Sequence, residues 1–75
     1  MNINEKIGFE MRNQRNLKRL TLEEVAIRMG VKSKNTISLM ERGVTQITVV
    51  DLQCFCDAVG CSWIELLEKV SEDHT

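Results

Sequence analysis

The sequence predicts an all-α domain of five short helices, and three observations lead there. Apolar residues recur at intervals of three and four along most of the chain, the repeat of one helical face. Helix-start signals, an Asn, Ser or Thr followed three residues later by Glu or Asp, stand at Asn2, Thr21, Thr48 and Ser62. Proline is absent, glycine occurs four times and aromatic residues make up 4%, a balance that argues against a sandwich of many strands and turns.

Taken in order, Ile3, Ile7 and Met11 repeat every four residues behind Asn2 and Glu5, which predicts a first helix from about Asn4 to Asn16. Thr21-Leu22-Glu23-Glu24 is a capping box, and Leu22, Val25, Ala26 and Met29 behind it line one face of a second helix that Gly30 stops. Ser33 caps a third, Lys34 to Arg42, with Ile37 and Met40 inward, Gly43 as its stop, and Lys34, Asn35, Ser38, Leu39 and Arg42 outward. Thr48 and Asp51 open a fourth, whose stripe is Val49, Leu52, Phe55, Cys56 and Val59 and whose stop is Gly60. Ser62 and Glu65 open a fifth, Trp63 to about Val70, and Ser71 to Thr75 are expected to fray.

Seventy-five residues make one small domain, 1–75, with a core over about 4–70. A chain of this size buries only roughly 60% of its extended surface, which leaves little room for a large enzyme cleft beside a sufficient core. No triad, phosphate loop or pair of carboxylates suited to catalysis can be assembled, so an enzyme is not expected. No apolar run reaches the ~18–20 residues of a membrane span, and Met1 to Glu5 lack the basic and apolar regions of a secretion signal. The expected location is the cytoplasm. Cys54, Cys56 and Cys61 are odd in number and show no CxxC spacing, so they read as reduced, space-filling thiols. Neither they nor His74 form a metal site, and no cofactor is expected.

Charge is unevenly spread behind a net value of −1. Arg12 to Arg42 hold eight bases against three acids, a local +5, whereas Gly43 onward has Lys69 against six acids, a local −5. A basic stretch in an otherwise acidic chain is either the footprint of a polyanion-binding surface or an ordinary solvated face.

The second and third helices, joined by a short turn at Gly30, form a helix-turn-helix, in which Ala26 allows close approach and Ile37 locks the third helix from beneath. Over Ile7–Leu67 the sequence resembles the phage repressor and Cro-like (XRE-type) helix-turn-helix domains. The resemblance runs through Ile7-Gly8, Arg15, Thr21-Leu22-Glu23-Glu24-Val25-Ala26, Met29-Gly30-Val31, Ile37-Ser38, Glu41-Arg42-Gly43 and Ala58-Val59-Gly60-Cys61-Ser62. It implies a five-helix lambda-repressor-like fold and a dimeric DNA-binding regulator of bacteria, phages or mobile elements. The family's ion pair between the first and third helices falls on Arg15 and Glu41, and its base-reading positions on Lys34, Asn35 and Leu39, with Ser38 on the same face.

Lysine is poorly placed electrostatically at a helix N-terminus, which favours a groove contact for Lys34 over simple solvation. Lys34 suits guanine O6 or N7, and Asn35 matches adenine N6 and N7. Candidate phosphate contacts are Arg12, Lys18, Arg19, Thr21, Lys32 and Arg42. On the fifth helix, apolar residues cover more circumference than one packed stripe needs, which leaves Trp63 and Ile64, with Leu67 beside them, for a homodimer contact. The expected function is sequence-specific binding of double-stranded DNA at a palindromic operator, with repression as the output. A protein-interaction module of the same fold, an antitoxin or a phage-encoded inhibitor, is the alternative, with Leu22, Leu39 and the fifth helix as its docking surface.

Overall fold

The computed structural model describes residues 1–72, and among them five α-helices follow one another: α1 (Ile3–Leu17), α2 (Leu22–Met29), α3 (Lys34–Glu41), α4 (Val49–Val59) and α5 (Trp63–Glu72). The capping boxes form at Asn2, Thr21 and Thr48, each side chain taking the amide three residues on while the acid there reaches back. At Ser62 the hydroxyl accepts the Glu65 amide at 3.4 Å. The Thr21 amide, and then its hydroxyl, hold the Glu24 carboxyl below the usual carboxylate range. A lowered carboxyl pKa means that this cap contributes above the ordinary value and is lost as pH falls through the depressed one.

Met11, Val25, Ile37, Phe55, Cys56 and Leu66 are wholly enclosed at the centre of one core, to which every helix contributes. α1 packs on α3, α4 and α5, while α2 packs on α3 and α4. The tightest approach is between α1 and the C-terminal end of α3. A methyl group added at Gly8 would fall on the Met40 carbonyl oxygen and within 2.6 Å of that of Glu41. Gly43, at φ +73, faces the Glu5 backbone just as closely, so both its conformation and its lack of a side chain are required.

Across that approach Arg15 holds Glu41. Nε donates to Oε2 at 2.7 Å and Nη2 to Oε1 at 3.0 Å, with the side chains 12% and 5% exposed. The third nitrogen, Nη1, donates to the Leu20 carbonyl at 2.8 Å and so also secures the chain between α1 and α2.

Four details depart from the sequence expectation. Ser71 and Glu72 do not fray but complete the last turn of α5, because Val70 beneath them is anchored in the core; Asp73 to Thr75, and with them His74, lie outside the described residues. Ile3 and Val49 keep their helical spacing yet remain 53% and 61% exposed, since each sits in the first turn of its helix where the core does not reach. Leu22, offered as a docking residue in the protein-partner reading, is instead half-buried against the core, on the stripe it shares with Val25 and Ala26 three and four residues on. α1 has no glycine at its end. Arg19 takes the left-handed conformation instead, at φ 57, while the Leu20 amide closes on the Arg15 carbonyl at 3.2 Å.

Two stability predictions follow from these contacts. Removing one member of the enclosed pair strands the other charge, so Glu41→Ala should lower stability by about 3 kcal/mol in chemical denaturation. A left-handed non-glycine residue carries roughly 1–2 kcal/mol of strain, partly offset by glycine's freedom when unfolded, so Arg19→Gly should raise stability by up to about 1 kcal/mol. A lower melting temperature in Arg19→Gly would mean that its side chain contributes more than its backbone costs.

Candidate nucleic-acid interface

The candidate surface is built on the turn between α2 and α3. Gly30 ends α2 at φ 74, the Val31 amide returns to the Ala26 carbonyl at 3.0 Å, and nearly enclosed Ala26 presents no bulk between the helices. Ser33 then caps α3 by accepting the Asn35 amide at 3.1 Å. With Ile37, Met40 and Glu41 buried, the opposite face of α3 is fixed outward. It is held there from beneath.

Lys34, Asn35 and Arg42 are exposed on that face, whereas Ser38 and Leu39 are half-buried. Leu39 was expected to be fully outward. The chain after Gly43 folds back beside it, the Val44 amide donating to the Leu39 carbonyl at 3.1 Å. Thr36 is also exposed in the first turn, next to Lys34 and Asn35, and sequence reasoning passed over it. Its signal was positional: of the residues before Ile37, it alone was assigned to neither face.

The basic side chains divide by what they already hold. Arg15 is committed to Glu41 and Leu20, and Arg28 donates to the Ala58 carbonyl at 2.9 Å, tying α2 to the end of α4. Arg12, Lys18, Arg19, Lys32, Lys34 and Arg42 are exposed, against the exposed acids Glu23 and Glu24 over the same stretch. The basic excess thus survives folding. Lys32 and Lys34 line one groove with Ser33, and Lys34 lines a second with Thr21 and Leu22; Glu23 borders both. Arg42 leans back along α3, its Nε 3.4 Å from the Ser38 carbonyl. The Thr21 hydroxyl accepts the Glu24 amide in its cap and keeps its own proton to donate, whereas the Thr21 amide is taken by the Glu24 carboxylate. Arg12 stands on α1 and Lys18 at its C-cap.

On α5, Leu66 and Val70 are buried and Trp63 and Leu67 pack partly against the core, which leaves Ile64, 54% exposed, as the outward apolar residue. Among the described residues there is no group of three or more His, Cys, Asp or Glu side chains suited to a metal ion. Nor is any described helix long and apolar enough to cross a membrane.

The chain matches the helix-turn-helix domain family over residues 6–68. Among solved structures it is similar to the clp gene regulator ClgR from Corynebacterium glutamicum, with 28% identity, a TM-score of 0.92, and coverage of 100% of this chain and 96% of that one. The restriction-modification controller protein C.AhdI from Aeromonas hydrophila is 26% identical with a TM-score of 0.76, over 83% of this chain and 92% of its own. The controller protein C.Esp1396I, 21% identical over 96% of this chain and 92% of its own, shares the fold with a TM-score of 0.84. No curated protein matches the chain. A family match over most of the length, and a fold shared from end to end around an outward α3, place the chain in the XRE-type helix-turn-helix family of DNA-binding domains.

Proposed function

We propose that the protein is a sequence-specific DNA-binding transcriptional regulator that acts as a homodimer on a roughly palindromic operator and represses by blocking polymerase. The observation that carries this reading is the outward face of α3, locked by buried Ile37 and Met40, with Lys34 and Arg42 exposed on it and Lys32 in the groove beside its first turn. The likeness to ClgR, a gene regulator, and to the controller protein C.AhdI supports it. Its place of action is then the cytoplasm, where the DNA lies.

In this reading Lys34 and Asn35 meet base edges in the major groove, and Ser38 and Leu39 line the same groove, Leu39 against a thymine methyl. Arg12, Lys18, Arg19, Lys32 and Arg42 grip phosphates, which sets position and contributes affinity without sequence information. Thr21 reaches a phosphate through its hydroxyl proton, because in the cap that oxygen only accepts, from the Glu24 amide, while the Thr21 amide is taken by the Glu24 carboxylate. Two copies joined about Ile64, with Trp63 and Leu67 alongside, bring their reading helices to successive major grooves about 34 Å apart. The protein-partner alternative loses one of its anchors, because Leu22 packs inward.

Base and phosphate contacts should fail differently. Asn35→Ala should reduce the preference for operator over scrambled duplex by roughly 1–3 kcal/mol per contacted base pair. Arg42→Ala should weaken both duplexes alike and flatten the salt dependence by about one unit per half-site. Binding measured on both duplexes at several salt concentrations decides between them, and no operator preference in the unmutated protein would shift the function to a protein partner. For the dimer, sedimentation at tens of micromolar should show a two-fold assembly that Ile64→Asp converts to monomer without loss of helical content. A monomer indifferent to that substitution would remove the proposed interface.

A further inference from the structure

Cys56 and Cys61 meet at the corner where α4 ends and α5 begins. The Cys56 carbonyl accepts two amides there, from Gly60 at 2.7 Å and from Cys61 at 2.9 Å, while Gly60 sits in the left-handed conformation at φ 86. A closure from the residue after a left-handed glycine to the residue five positions earlier draws those two side chains together, ordinarily as an apolar contact. Here the contact joins two free thiols. Cys56 is wholly enclosed, and Cys61 is half-buried against the same core with one side toward solvent.

We propose that Cys56 and Cys61 form a reversible redox pair, converted by a peroxide into an intramolecular disulfide that fastens the end of α4 to the entry of α5. A disulfide needs Cα atoms within roughly 4.4–6.8 Å and side chains on a common side; this helix stop turns Cys61 back onto Cys56, close enough for the two thiols to hydrogen-bond. Cys54 stands apart from the pair. It is two residues before Cys56 on α4 and therefore on another face, exposed beside Arg28 and Asp57.

The two thiols have unequal roles. Burial first, then the hydrogen bond with Cys61 and the charges of Cys61 and Asp57, push the Cys56 thiol up to about 12, so Cys56 is not the group that meets the oxidant. Cys61 is the accessible partner: its thiolate attacks a peroxide oxygen, the O–O bond breaks, and a sulfenic acid and water result. The Cys56 sulfur then attacks the Cys61 sulfur. The S–O bond breaks, the Cys56 proton leaves with the departing hydroxide as a second water, and the disulfide forms. One hydrogen peroxide is reduced to two waters as two thiols are oxidised, and an external dithiol reverses the change by exchange.

The test uses the full chain carrying Cys54→Ser, which leaves the pair as its only thiols. Exposure to hydrogen peroxide, followed by alkylation in denaturant and intact-mass measurement, should give a monomeric species lighter by two hydrogens and closed to alkylation. Dithiothreitol should restore both alkylation sites. In Cys54→Ser/Cys61→Ser, whose helical circular dichroism should be unchanged because the substituted site is half-exposed, Cys56 should stay fully alkylatable after the same exposure. The unmutated chain should likewise lose two of its three alkylation sites. Accumulation of sulfinic acid on Cys61 with Cys56 still free, or disulfides formed only between chains, would overturn the pairing.

Discussion

The enclosed Arg15–Glu41 pair is the constraint on which the arrangement of the first three helices depends. One planar guanidinium takes both oxygens of the last residue of α3 and the carbonyl of Leu20 before α2, so a single side chain references α1, α2 and α3 to one another. Its contribution is geometric more than energetic, because desolvating two charges offsets much of their attraction. The bidentate fork admits few alternative alignments. That restriction on the third helix matters more to the arrangement than the net free energy of the pair.

Much of this fold was legible in the chain because its helix starts are written locally. Asn2, Thr21 and Thr48 make the reciprocal caps that their spacing implies, and Gly30, Gly43 and Gly60 stop helices in the left-handed conformation. The stop of α1 was not legible, since an arginine occupies a conformation that composition assigns to glycine. Periodicity also names a face without saying whether a neighbour exists to cover it. Ile3 and Val49 lie on apolar stripes beyond the reach of the core, whereas Leu22 and Leu39 are covered by packing and by the returning chain. The outward face of α3 could be read from Ile37 and Met40 alone, but the close passage of Gly8 across the end of α3 depends on residues more than thirty positions apart.

Folding preserves the charge asymmetry of the sequence. Arg15 and Glu41 neutralise each other in the interior, and Arg28 is fixed to a carbonyl of α4. What remains is a set of exposed bases on α1, around the turn and on α3, against exposed Asp57, Glu65, Glu68 and Glu72 on α4 and α5. Such a separation orients a molecule in the field of a polyanion, its basic side first. It also explains how a chain with a net charge of −1 can belong to a DNA-binding family.

Gly8 and Gly43 bring main chain against main chain where α1 meets the end of α3. Backbone atoms set most of that spacing, with the Glu5 Cγ the one side-chain atom among the nearest, so the pose of the third helix is insulated from changes in the residues it displays. Lys34, Asn35, Thr36 and Ser38 can therefore be exchanged as a set while the platform beneath them stays the same. The glycine-fixed mount thus separates what packing requires from what the outward face displays.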